Sequence, residues 1–407
     1  MKPKRRFSLP FKLASSRVNL AWAQLTHQKV KLVIAITGVG FANILMFTQL
    51  GLRAVLFDGI TLIHEQLEGE LFMISTYTRA LGRSTFPRVY LYQANAVAGV
   101  RSARPLYIAE ANWVSPEKIG KSTTDPADDS IFPDEVKILA FNPAQPVFKL
   151  PGVNQQLNRL SEPDTVLFDR LSQPSLGPIS ERLAQQDQVR TVMDQRRVSV
   201  IGDFQLGSTL FTKGHVIMSD WNYAQRYGQD RLRDVSLGLL VLAPGSDPIQ
   251  VQRQLQANLP ASVSVFTREE LIIKEKTYWE SDPSGIVLNF GALMGFIVGV
   301  IVVYQVLYTD VAEHLPEYAT LKAMGYADRA LLMVVLQEAM LLAVLGFIPG
   351  TAASVGVYSL LSYLTKIPLV LRPDVMLQVF LLTFLMCSSA GAIAVRKLKK
   401  ADPADIF

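Results

Sequence analysis

The chain has 407 residues, of which 49% are hydrophobic and only 18% charged, with a formal net charge of +5. That is too apolar for an ordinary soluble enzyme and too mixed for an all-membrane bundle, so apolar and polar residues must be segregated along the chain. The single cysteine, Cys387, excludes an internal disulfide, and His27, His64, His215 and His314 show no metal-ligand spacing, so no bound metal is expected.

Residues 1–31 form a basic tail with Lys2, Lys4, Arg5, Arg6, Lys12, Arg17, Lys29 and Lys31, and no acid precedes Asp58. The anionic inner leaflet is a simpler partner for it than nucleic acid, and none is expected. Val18, Ala21, Trp22 and Leu25 fall at helical spacing, either as an interfacial helix or as a plain basic flank. Residues 32–52 are the first of four apolar runs long enough to cross a bilayer. The run is too long for a signal peptide and no small-x-small site follows before Arg53, so it reads as a signal anchor.

Residues 53–285 are polar, slightly acidic and numerous enough for a core of their own. LFMIST, LYIAEANWV, VKILAFN, RRVSVIG, HVIMSD and VSLGLLVLAP read as strands. Asp247 with Pro248 starts a helix over 248–258, SVSVF follows as a strand, and Thr267 with Glu270 makes a capping box for a further helix. Tyr278 and Trp279 then fall where an outer aromatic belt belongs, and Asp282-Pro283 breaks the helix. The expected fold is an α+β domain; residues 121–195, rich in Pro, Asp, Ser and Gln, read as loops or excursions. IGKST at 119–123 resembles a phosphate-binding loop but has Ser115 where the first glycine is required, so no nucleotide is expected there. No G-x-S-x-G motif supports a serine hydrolase.

The second apolar run, 286–309, carries Gly291, Gly295 and Gly299, a small-residue face for close helix packing, either within one chain or between two copies. The segment 310–329 contains EYATLKAMGY. Pro316 opens a helix there, Glu317 suits its first turn, Tyr318, Leu321 and Met324 make an apolar stripe, and Gly325 ends it. The stripe needs a cover: lipid headgroups, the chain's own spans, or a groove in a soluble partner. Residues 330–364 form the third run, with a proline kink expected near 349–350. Glu338 lies in it, either as a buried functional acid or at headgroup level. The fourth run is 375–395, and the tail 396–407 begins with Arg396, Lys397, Lys399 and Lys400. Basic residues at both ends place both termini in the cytoplasm, as four spans require, and put 53–285 outside.

The pattern Glu317-x-Ala319-x-Leu321-Lys322-Ala323-Met324-Gly325-Tyr326, followed by Asp-Arg and a helix with Gln-Glu-Ala, resembles the coupling loop of the FtsX/MacB-type permeases of ABC transporters. One N-terminal span, a large periplasmic domain and three further spans agree with that family. The segments 141–151, 167–178 and 203–223 resemble the DevC-type subgroup, permeases of cyanobacterial glycolipid exporters. The resemblance implies a non-catalytic inner-membrane transport subunit that works as a homodimer. ATP and Mg would sit on a separate ABC ATPase, and no cofactor on this chain. Residues Glu317–Tyr326, with Tyr318 among them, would couple to that ATPase, and a mechanotransmission cycle would move glycolipid or another amphipathic cargo. A periplasmic adaptor of the membrane-fusion class and a TolC-like outer-membrane duct are the implied partners. An FtsX-like transducer that activates a cell-wall hydrolase, and a lipoprotein-releasing permease, are the alternatives. A neighbouring adaptor gene favours export, and a neighbouring hydrolase-activator gene favours signalling.

Overall fold

The computed structural model describes residues 29–119, 133–314, 316, 328–365, 367 and 369–398. The expected interfacial helix before Lys29, the glycine-lysine-serine of IGKST, the segment Glu317–Tyr326 and the tail from Lys399 lie outside the described residues. The chain divides into two compact units, Val55–Gly285 and the remainder, Met1–Ala54 with Ile286–Phe407.

The first long helix, α1, covers Lys29–Gln66. In the Val55–Gly285 unit it is followed by β1 (Leu71–Ser75), β2 (Phe86–Pro87), α2 (Val89–Asn95), β3 (Val100–Val114) and β4 (Asp134–Phe141). Next come α3 (Pro151–Asn154), β5 (Thr165–Asp169), α4 (Ile179–Leu183), β6 (Val189–Met193), β7 (Arg196–Phe204) and β8 (His215–Ser219). The unit ends with α5 (Asp220–Tyr227), β9 (Asp234–Val235), β10 (Leu237–Leu242), α6 (Pro248–Asn258), β11 (Val263–Thr267) and α7 (Arg268–Ser281). Three long helices complete the chain: α8 (Pro283–Glu313), α9 (Asp328–Thr365) and α10 (Pro373–Leu398). Together with α1 they are the four helices long and apolar enough to cross a membrane among the described residues.

One mixed sheet organises the α+β unit, in the order β11-β1-β10-β3-β4-β8-β5-β7-β6. Strand β3 is 15 residues long and serves two halves. Its first part pairs with β10 and its second part with β4. At its end Trp113 and Val114 pair with Met193 and Val192 of β6, which closes β3, β4, β8, β5, β7 and β6 into a ring. Strands β4 with β8 and β5 with β7 are parallel. Strands β1, β5 and β8 are buried along their whole length, as strands covered on both faces must be. Alternation then feeds two cores: Leu71 and Met73 enter one, Phe72 and Ile74 the other. Helices α2 and α6 cover the first face; the end of α1 and α7 cover the second.

The strands named in the sequence all form, and α6 and α7 start at their expected caps. Asp247 accepts from the Ile249 amide, and Thr267 and Glu270 make the full capping box. Two readings need correction. Residues 121–195 are not only loops: β5 and β6 lie there and stand within the sheet. At five residues each, framed by Asp, Pro and Gln, they are too short to show a period. Trp279 does not belong to an aromatic belt, because it is buried and stacked on Phe211 with ring centroids 4.7 Å apart.

Trp113 marks the point where the ring closes. It is fully buried, its ring lies 5.3 Å from that of Phe168, and Nε1 donates to the Leu176 carbonyl at 3.0 Å. Trp113→Ala is expected to destabilise this unit by about 3–5 kcal/mol, and Trp113→Phe by clearly less, in denaturant unfolding of the full chain. A loss below about 1 kcal/mol for the alanine variant would show that ring closure is not needed for the fold.

Candidate functional site

In the membrane-helix unit, α1 is the element around which the others close. The three glycines of α8 face it. A Cβ on Gly295 would lie 3.2 Å from Leu45 Cβ and Met46 Cγ, and one on Gly299 would lie 2.9 Å from Ala42 Cβ and collide with Met386. A Cβ on Gly291 would strike the Gln49 side chain. On α9, a Cβ on Gly350 would come within 3.1 Å of the Gly40 backbone, and one on Gly346 would meet Val39. Both seams lie within a single chain. Polar contacts sit in the same packing: Thr383 donates to Asn43 Oδ1 at 2.6 Å, and Tyr358 donates to the Phe47 carbonyl. Lys31 at the start of α1 pairs with Glu313 at the end of α8. Helix α9 continues as α-helix through Pro349.

Glu338 is fully buried, and neither of its oxygens has a hydrogen-bond partner among the described residues. Its carboxyl group neighbours that of Asp310 on α8. Asp310 in turn lies 3.7 Å from His314 Nδ1. The residues expected to couple to an ATPase, Glu317, Tyr318, Ala319, Leu321, Lys322, Ala323, Met324, Gly325 and Tyr326, follow directly in the chain but lie outside the described residues.

The α+β unit holds two buried histidine–carboxylate pairs. Asp169 is completely buried and accepts from the amides of Leu171, Leu206 and Gly207 at 3.1, 3.0 and 2.7 Å. A carboxylate so supplied with donors is held as an acceptor, so His215 Nδ1, 3.4 Å away, is the protonated nitrogen. His215 Nε2 is then a lone-pair acceptor, and it has no partner among the described residues. Burial pushes the His215 pKa down, with Asp169 opposing the shift. In the second pair, His64 Nδ1 lies 2.8 Å from the Ile60 carbonyl, which can only accept. Nε2 lies 2.9 Å from Glu275 Oε2, within ion-pair range. Among the described residues, no hydroxyl or thiol is hydrogen-bonded to a ring nitrogen of His64 or His215.

Among the described residues no three His, Cys, Asp or Glu side chains are grouped to hold a metal. Four features escaped the sequence reading: the Gly346–Gly350 spacing, the Asn43–Thr383 bond and the two histidine–acid pairs. The first has the same four-residue spacing as the α8 glycines and was legible. The others join residues up to 340 positions apart, and one sequence carries no trace of them.

Residues 289–403 match the family model described as FtsX-like permease C-terminal. No curated protein matches. Solved structures are similar at low level, two of them as follows. The extracellular domain of the noncanonic ABC-type transporter YknZ from Gram-positive bacteria aligns at 12% identity and TM-score 0.32, covering 49% of this chain and 100% of that one. The periplasmic region of MacB from Actinobacillus actinomycetemcomitans aligns at 7% identity and TM-score 0.33, covering 51% of this chain and 92% of that one.

The glycine seam predicts a steric contrast. Gly295→Leu is expected to cost about 1–3 kcal/mol by overpacking against Leu45 and Met46, whereas Ile297→Leu, at a partly exposed position, is expected to be nearly silent. Thermal unfolding and yield of the two detergent-solubilised variants decide this; equal behaviour would contradict it. The buried His215 makes a pH prediction. Its folded pKa is depressed, so below about pH 6.5 the unfolded chain takes up the proton first and stability falls with pH. His215→Gln is expected to flatten the fall in unfolding midpoint between about pH 7.5 and pH 5.5 relative to the parent chain. An unchanged slope would contradict it.

Proposed function

We propose that this chain is the transmembrane permease subunit of an ATP-driven exporter of the FtsX/MacB type, DevC-like in its periplasmic segments. The observation that carries the reading is positional. The FtsX-like match at 289–403 spans three of the four apolar helices and includes the segment EYATLKAMGY between the second and third. The first apolar helix precedes a large α+β unit, the order this permease type uses.

On this reading the permease acts as a homodimer with two copies of an ABC ATPase subunit that hold ATP and Mg. The basic chain ends keep both termini and the 310–329 segment in the cytoplasm of an inner membrane, with the α+β unit in the periplasm. ATP-driven closure of the ATPase pair displaces the helix around Glu317–Gly325. The displacement passes to the helices packed on α1, and the motion works a periplasmic adaptor leading to a TolC-like duct. The chain itself catalyses nothing in this cycle. An amphipathic cargo, a glycolipid in the DevC-type reading, is taken from the outer leaflet or periplasm and does not thread the helices. The apolar packing around α1, with its few polar pairs, suits a transmitter of motion better than a polar channel.

Damage to the coupling segment separates ATP use from export. Leu321→Asp puts a charge on the expected docking face, at a cost of several kcal/mol if it is buried unpaired. Gly325→Val places a β-branched residue at the expected left-handed cap, at about 1–2 kcal/mol. Both variants are expected to insert normally, to keep adaptor binding and to lose stimulation of the ATPase in reconstituted complexes. Intact stimulation and export in both would refute the coupling assignment.

A further inference from the structure

Helices α8 and α9, which the segment 314–327 joins, bring two acids together inside the membrane-helix unit. Asp310 lies near the end of α8, and Glu338 lies ten residues into α9. Beside them Val311 of α8, Val335 of α9 and Val395 of α10 form a buried apolar cluster. Glu338 is fully buried, and the Asp310 side chain is only 13% exposed. Neither oxygen of Glu338, nor Asp310 Oδ2, has a hydrogen-bond partner among the described residues. What the Glu338 carboxyl group meets is the carboxyl group of Asp310.

An ionised carboxylate only accepts hydrogen bonds, so two facing carboxylates bond nothing and repel each other. The cations at this end of the helices do not resolve the conflict. Lys31 of α1 pairs with Glu313 of α8. His314 Nδ1 lies 2.9 Å from the Asp310 carbonyl oxygen and 3.7 Å from Asp310 Oδ1. Among the side chains described, three acids, Asp310, Glu313 and Glu338, thus face Lys31 and His314 alone. Even with His314 charged, one acid has no counter-charge. The further charged residues on the packed helices are Arg396 and Lys397, next to Val395 on α10, and Asp328 and Arg329, which open α9 about 13 Å along the helix from Glu338. Among the described residues no third ligand is grouped with the pair to hold a metal. A proton on Glu338 answers each requirement. It removes a buried uncompensated charge, ends the repulsion, and turns the contact into a charge-assisted O–H···O hydrogen bond.

We propose that Asp310 and Glu338 form a proton-binding site between α8 and α9, in which Glu338 carries the proton and donates it to the Asp310 carboxylate. The held proton fastens α8 to α9 beside the segment that joins them. Its loss sets two buried like charges side by side and favours parting of the two helices at that end. The site is defined by the membrane-helix unit alone. Only its consequence for the 314–327 segment, a proton-dependent grip on the helices that would carry displacement from the ATPase, rests on the exporter reading.

Infrared spectroscopy of the full chain in dodecyl maltoside, with no ATPase present, tests it. An ordinary glutamate titrates near about 4.3, so at about pH 7.5 an ion-paired or solvated Glu338 is a carboxylate. The difference spectrum of the parent chain minus Glu338→Gln at that pH is expected to show the carbonyl stretch of a protonated carboxylic acid. Glutamine keeps the shape and donates to Asp310, so this variant is expected to hold the parent's unfolding midpoint, and Glu338→Ala to lower it. Asp310→Asn is expected to keep the carboxylic-acid band and to move its frequency, because the acceptor changes from a carboxylate to an amide oxygen. This second variant carries the test by itself should Glu338→Gln fail to fold. Absence of the band in the folded parent chain, as when Arg396, Lys397 or a bound cation compensates an ionised Glu338, would overturn the proposal. So would a band that Asp310→Asn leaves unmoved. None of these outcomes bears on ATPase stimulation, so the site and the exporter reading fail separately.

Discussion

Helices in lipid gain nothing from hiding apolar surface from one another, because the solvent is as apolar as they are. They associate where backbones come close enough for dense packing. In this chain that condition is met around α1, where Gly291, Gly295 and Gly299 remove side chains on one side, and Gly40, Gly346 and Gly350 on the other. The polar contacts Asn43–Thr383 and Tyr358–Phe47 add direction to the same packing. An element held on both sides by backbone approach has little freedom to repack by degrees; it moves with its neighbours or not at all.

The two units were unequally legible. Apolar runs of the required length announce themselves, so the four membrane helices stood out before any coordinates. So did the caps: Asp247 before Pro248, and Thr267 three residues before Glu270, each bring their partners within one helical turn. Strands of central type, such as HVIMS, read as apolar runs because both faces are buried. What stayed hidden depended on distance along the chain. Strands β5 and β6 have short, punctuated sequences and take their place from pairing with β7, β8 and β3. Trp279 sits where a belt residue would, and only its contact with Phe211 shows that protein, not lipid, covers it. The partner of His64 lies more than 200 residues away, so scattered histidines gave no hint of two buried pairs.

The α+β unit also keeps buried polar atoms that are without partners among the described residues. The buried His215 Nε2 and Trp279 Nε1, from two residues beside one cavity, have no hydrogen-bond partner among the described residues. Replacing such groups with apolar ones of similar size commonly stabilises a protein, so their presence points to use and not to support. Domain and membrane helices thus each carry a feature that folding does not require: a polar cavity in one, and the buried Glu338 beside Asp310 in the other.

The exporter reading stands on one spatial requirement: the 310–329 segment must face the compartment that holds ATP, and the α+β unit the opposite one. Single cysteines in a Cys387→Ala background, labelled with a membrane-impermeant maleimide, test this most directly. Asp230→Cys lies on the surface of the α+β unit, where the native side chain is 86% exposed; Lys322→Cys lies in the EYATLKAMGY segment. With the outer membrane permeabilised and the inner membrane intact, Asp230→Cys is expected to label fully, and Lys322→Cys only after the inner membrane is opened. Labelling of Lys322→Cys across an intact inner membrane, with Asp230→Cys protected, would contradict the proposed coupling to an ATPase.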